Sequence, residues 1–265
     1  MQIDAKGENE GMLKYCVCTD AVFMGKSDIL PAMDSVKACG YPGIEFWTWW
    51  DKDMKAVAEK QKETGLEVAA FCTKFIEPGE AKNQTEYLQG LQDTIDWAKT
   101  LNCGTIIVQA GWQVNGRSVH THKKSILGLF RKASEIAERE NVVLVLEPLN
   151  ILVDHPTYFI SASKDAFALA DEIGSPNFKI LFDIYHQQIT EGNLIANITE
   201  NIDKIGHFHA AGNPGRNEIT KGEINYRNVF RAIEKTGYQG WIGLEYMTNE
   251  EPEKGLTEVR EQILI

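Results

Sequence analysis

Residues 142–186 read VVLVLEPLNILVDHPTYFISASKDAFALADEIGSPNFKILFDIYH. The two outer runs, VVLVLE and FKILFD, are apolar almost throughout, as expected of parallel strands covered on both faces. Between them SASKDAFALADEI carries helical spacing, with Ser161 placed to cap its start and Gly174 just past its end, where a left-handed residue is wanted. The stretch is therefore a strand–helix–strand unit, and each strand closes on an acid, Glu147 and Asp183.

Outward from this unit the same alternation fills the chain. Strands are predicted at 13–19, 43–47, 66–73, 105–109, 142–147, 178–183, 205–210 and 241–246, and helices at 28–39, 54–64, 85–101, 123–139, 161–173, 191–201, 226–236 and 252–264. Gly40, Gly65 and Gly237 punctuate further helix ends in the same way. Eight units in 265 residues predict an α/β fold, a (β/α)8 TIM barrel, as a single domain over 13–265, with 1–12 an irregular or disordered N-terminal segment. No Gly-rich dinucleotide fingerprint follows the first strand, which removes the main reason to prefer a Rossmann-type sheet. The longest irregular stretch, AAGNPGRNEITKGEINY after the seventh strand, is of the kind that tends to be functional.

Composition narrows the function classes. A hydrophobic fraction of 43% with 25% charged residues is ordinary for a soluble globular chain. The formal net charge of -11, with scattered Lys and Arg, disfavours nucleic acid and anionic membrane surfaces as partners. The five cysteines (Cys16, Cys18, Cys39, Cys72, Cys103) show no C-x-x-C or zinc spacing and read as reduced core thiols. The polar start MQIDAKGENEGM shows no signal-peptide pattern, so a cytoplasmic address is expected.

Four consecutive strands end in a residue that binds hard or borderline cations: Glu147, Asp183, His209 and Glu245. In a barrel these ends share one rim, and neighbouring strands lie roughly 5 Å apart. One such residue is more simply a solvated strand end; four in succession, each behind an apolar strand, point to a single divalent metal ion. Three carboxylates and one imidazole suit Mg or Mn, with Zn, Co or Fe as alternatives. Such an ion acidifies the proton between a ketone and its neighbouring hydroxyl, and two glutamates, Glu147 and Glu245, can remove and return that proton, giving aldose–ketose isomerisation or epimerisation. His186, three residues beyond Asp183, and Arg216, in the Gly-rich loop, are the candidates for substrate binding. His207, two residues before His209, faces the same way but deeper, and reads as a core histidine. Trp47, Trp49 and Trp50 cluster near the rim, where one or two can wall the pocket, and Lys74, Gln109 and Trp112 are weaker candidates. His120, His122 and His155 read as loop residues without a role.

The stretches IEFWTWW, VVLVLEPLN, LFDIYHQQ, IGHFHAAGNPGRNE, KGEINYRNVFRAI and GYQGWIGLEY resemble the xylose isomerase-like barrels and, among them, the hydroxypyruvate isomerase family. The resemblance implies a metal held by Glu147, Asp183, His209 and Glu245, the two glutamates as acid/base pair, and His186 and Arg216 beside a sugar or hydroxy-keto acid. It is compatible with a homo-oligomer. Hydroxypyruvate isomerase-like sequences often carry Gln where His209 stands, whereas ketohexose 3-epimerases carry His. Competing expectations on the same barrel are a lyase similar to inosose dehydratase, an endonuclease IV-like repair enzyme, disfavoured by six histidines and an acidic chain, and a sugar-binding barrel without turnover, whose mark would be loss of a paired glutamate.

Overall fold

A computed structural model describes residues 13–114 and 116–264; the predicted irregular segment 1–12 lies outside the described residues. Eight parallel strands close into a barrel in chain order: β1 (Lys14–Cys18), β2 (Gly43–Phe46), β3 (Glu67–Cys72), β4 (Thr105–Gln109), β5 (Val143–Glu147), β6 (Phe178–Asp183), β7 (Ile205–Ala210) and β8 (Trp241–Leu244). The circle closes where β8 pairs with β1, Lys14 to Val17 opposite Trp241 to Leu244. Around the barrel run α1 (Thr19–Val22), α2 (Ile29–Ala38), α3 (Met54–Thr64), α4 (Gln84–Thr100), α5 (Val119–Glu140), α6 (Ser163–Ile173), α7 (Ile184–Thr190), α8 (Leu194–Glu200), α9 (Tyr226–Lys235) and α10 (Pro252–Gln262).

Every predicted strand is present, and the differences fall at ends and loops. The predicted helix 191–201 is α8, which starts three residues late because Gly192 and Asn193 adopt positive φ (63° and 50°), and an unpredicted helix, α7, precedes it. Ser161 does not cap α6; that helix begins two residues later with Ala162 at the cap position, and Ser163 binds Glu191 instead. α5 starts four residues before its predicted start because the Ser118 side chain accepts the Thr121 N–H and caps it there. β8 stops at Leu244, so Glu245 stands one residue past the strand.

The main core lies between strands and helices. A second, smaller cluster of Ala70, Cys72, Ile107, Val145 and Leu181 fills one side of the barrel interior. Side chains alternate along a strand, so Val145 and Glu147, Leu181 and Asp183, His207 and His209, and Gly243 and Glu245 point inward in successive layers. The lower layer is therefore apolar across β3 to β6 and polar where His207 of β7, Glu45 of β2 and Cys16 of β1 meet, with Gly243 of β8 leaving them room. All five cysteines are free and buried, as expected of core thiols. No helix among the described residues is long and apolar enough to cross a membrane.

Candidate active site and metal centre

The upper inward layer brings Glu147, Asp183, His209 and Glu245 together, with one donor atom from each within 4.8 Å of all the others. His209 sits at the middle of the group: its Nδ1 is 3.2 Å from Glu147 Oε1 and 3.5 Å from Glu245 Oε2. All four side chains are buried.

Each carboxylate is fixed differently. Glu245 accepts from Trp47 Nε1 at 2.6 Å on one oxygen and from Arg216 Nη2 at 2.5 Å on the other. Asp183 uses Oδ1 to accept the His186 backbone N–H (3.0 Å), capping α7, and its buried Oδ2 has no protein partner. Burial pushes Glu147 up to about 7, with His209 pulling the other way and Glu245 and Asp183 adding to the rise. Burial likewise pushes Asp183 up to about 6, assisted by the Glu245 charge. For Glu245, burial is outweighed by His209 and Arg216, which hold its carboxyl below the usual value. Against its own burial, His209 is pushed well up by Glu245, Glu45 and Glu147.

Three buried carboxylates thus face one imidazole and one guanidinium, and desolvation costs several kcal/mol per unpaired ion. A divalent cation with ligands at about 2.0–2.4 Å keeps its donors within about 4.8 Å of one another. The donor spacing, the excess of negative charge and the unpartnered Asp183 Oδ2 fit such an ion. A second group of suitable spacing, Cys16, Glu45 and His207, is already satisfied internally: Glu45 Oε2 is 2.7 Å from His207 Nε2 and accepts from Cys16 Sγ at 3.4 Å.

His186 is held by its other ring nitrogen. Asn150 Nδ2 lies 2.7 Å from His186 Nδ1 and donates to it, leaving the ring proton on Nε2. That nitrogen is buried, has no partner and lies 3.7 Å from Asp183 Oδ2. Burial and the Arg216 charge hold His186 well below its ordinary value, so the ring is neutral. Asn150 is itself anchored: its Oδ1 accepts from the Val153 and Asp154 N–H groups, and Asp154 also accepts from Tyr185 Oη at 2.9 Å.

The cavity above these residues has a volume of about 470 Å³. Trp47, Gln109, Trp112 and Arg216 line it, as read from the sequence. Trp49 is core, its Nε1 bonded to Thr94, and Trp50 is half-exposed against Phe75. Lys74 turns away, to Asp93 at 3.3 Å and over the Trp49 ring. His155, read as a loop residue without a role, stands in the cavity wall, and His122 is buried against the Phe159 ring.

Glu45 was missed by the strand-end pattern because it lies inside β2. An acid within the apolar run GIEF is the signal that could have found it. Its Oε1 is 3.1 Å from His209 Nε2, at an angle short of a straight hydrogen bond. Gly243 makes room for it, since a Cβ there would lie 2.0 Å from Glu45 Oε1. With Nδ1 of His209 turned to the carboxylates, Glu45 is the acceptor beside the opposite nitrogen, the arrangement that orients metal-binding imidazoles. Glu45→Gln should lower divalent-metal affinity about 10- to 100-fold in calorimetric titration; unchanged affinity would remove this role from Glu45.

The sequence matches the model of the xylose isomerase-like TIM barrel over residues 33–263. The chain belongs to that family. It is 32% identical to hydroxypyruvate isomerase of Escherichia coli, over 92% of this chain and 97% of that protein. It is 30% identical to 2-oxo-tetronate isomerase of Pectobacterium atrosepticum, over 86% of this chain and 90% of that one. Among solved structures, 3-keto-D-glucoside 4-epimerase from E. coli superposes with a TM-score of 0.81 at 24% identity, covering 94% of this chain and 98% of the other, a likeness of fold. The chain is accordingly an enzyme of the isomerase or epimerase class.

Proposed function

We propose that this enzyme isomerises or epimerises a small hydroxyketone of sugar type, with Glu147 and Glu245 exchanging protons with substrate carbon and one divalent ion held by Glu147, Asp183, His209 and Glu245. The observation that carries the reading is the convergence of two buried glutamates, from β5 and from just past β8, on His209 Nδ1. The ion, when bound, supplies a Lewis acid for the ketone and adjacent hydroxyl.

The remaining steps belong to the protein. One glutamate takes the carbon-bound proton next to the carbonyl, leaving a cis-enediolate. The other returns a proton to the opposite face of that carbon, which inverts it. For isomerisation, a proton goes instead to the neighbouring carbon while the hydroxyl and carbonyl oxygens exchange theirs. Enediolate charge develops beside the Arg216 guanidinium and the His186 Nε2–H, both fixed before substrate arrives by Glu245 and Asn150. The Trp47 indole walls the same carboxylate against water. The test is NMR in deuterated buffer with Mg or Mn, offering hydroxypyruvate, tetruloses, ketohexoses and inososes: the reading requires solvent deuterium at a substrate carbon, and a panel left unlabelled contradicts it.

Metal binding should depend on pH in a defined direction. Glu147 and Asp183 hold their protons up to about 7 and about 6, above the ordinary 4.5 and 3.8. The stability this gives to chelator-stripped protein is present below the ordinary values and is lost as pH rises through 6 and 7. An ion must displace those protons, so it binds more tightly over the same rise. The gain in Tm on adding Mg or Mn should therefore widen from about pH 5.5 to about pH 8. A gain that is flat with pH would contradict these protonation states.

A further inference from the structure

The cavity is larger and less polar than proton transfer on a short keto acid requires. At about 470 Å³ it lies within the range of about 300–1,000 Å³ typical of sites that enclose drug-sized ligands. It equals roughly sixteen waters at about 30 Å³ each, so a three-carbon acid would leave most of it filled with solvent.

Its two ends differ in chemistry. The buried end carries Glu147, Glu245, His209 and Arg216. The exposed rings of Phe75 and Trp112 mark its outer end, and Ile76, Pro78, Leu149 and Tyr158 add apolar wall. Phe75 and Trp112 are 58% and 48% exposed, yet each is braced edge-on by a second aromatic ring: Trp50 against Phe75 at 5.1 Å, and Tyr158 against Trp112 at 5.7 Å. Braced aromatic faces left in water beside a reaction centre are what a flat apolar ligand group would cover.

Charge points the same way. Arg216 is the only Lys or Arg lining this cavity among the described residues, and Glu245 already occupies it at 2.5 Å. The charged residue at the outer end is Glu77, held in place by the N–H groups of Trp112 (3.0 Å) and Gly79 (3.1 Å). A substrate carboxylate there would meet a like charge with no free cation, whereas sugar hydroxyls can donate to it.

We propose that the substrate is an uncharged hydroxyketone sugar bearing an aromatic or similarly flat apolar substituent, which lies against Phe75, Trp112 and Tyr158 while the sugar carbons face Glu147 and Glu245. The substituent supplies binding energy away from the reacting carbons, and Glu77 selects against a carboxylate on that substituent. The inference rests on the proton-transfer reading for its reacting end, and on the outer cavity alone for its apolar end.

Three probes separate these parts: phenyl 3-keto-β-D-glucopyranoside, its methyl counterpart and hydroxypyruvate. Each is titrated into Mn-loaded enzyme by quenching of tryptophan fluorescence and followed for solvent-deuterium exchange. The phenyl probe should bind about 10- to 100-fold more tightly than the methyl one, with hydroxypyruvate weakest. In the double variant Phe75→Ala/Trp112→Ala that ratio should fall towards unity, and Trp112→Phe should retain most of it. A methyl probe that binds as well as the phenyl one, or hydroxypyruvate that binds better than both, overturns the proposal, and this comparison on wild-type enzyme decides it even if the double variant does not fold. Selective phenyl binding without deuterium exchange in any probe would support the apolar subsite and sink the proton-transfer reading instead.

Discussion

Glu147→Gln and Glu245→Gln should each lower kcat by about a thousandfold or more and abolish solvent-deuterium exchange into substrate, because glutamine keeps the shape of the side chain but cannot carry a proton to or from carbon. The two variants should differ in what else they change. Glu147 is a buried carboxylate raised by its own burial and by Glu245 and Asp183, so the neutral amide relieves repulsion and chelator-stripped Glu147→Gln should melt no lower than wild type. Glu245 is the partner of Arg216 and of Trp47 Nε1, so Glu245→Gln leaves a guanidinium buried with a weaker acceptor and should melt lower. Turnover and exchange that survive in both variants would end the assignment of these residues as the acid/base pair.

The second large effect concerns Asp183 and His209. Asp183→Ala removes the oxygen without a protein partner together with the cap of α7, whereas Asp183→Asn keeps an oxygen for the His186 N–H and loses only the charge. Both should lower metal affinity by about a hundredfold or more, read as metal content after dialysis, while Asp183→Ala alone should also lose helix-cap stability of about 1 kcal/mol. His209→Ala should lose the metal as well and leave Glu45 facing a gap. Full metal retention in Asp183→Asn and His209→Ala would place the ion elsewhere.

The barrel was legible because its strands are buried on both faces. Runs such as VVLVLE and FKILFD cannot be amphipathic helices, and eight repeats leave no unpaired edge. The four clustered side chains were legible for a related reason: an ionisable residue just after a two-sided apolar strand must sit at the barrel mouth. What escaped was whatever depends on contacts across the chain. Asn150 and Asp154 matter through His186, 36 and 32 positions away, and no local period records that. The break between α7 and α8 turns on left-handed Gly192 and Asn193, and Ser163 is drawn to Glu191 by packing that a capping rule does not see. Glu45 lay hidden because inward and outward positions of a short strand look alike until its neighbours are known.

Gly243 ties this last residue to a strand nearly two hundred positions away. The eighth strand contributes no side chain at the level where Glu45 reaches across, and a single methyl there would collide with its carboxylate. Any larger residue at 243 would therefore turn the Glu45 carboxylate aside and draw it away from His207 and His209, so a change that leaves the four clustered side chains untouched would still alter the layer beneath them.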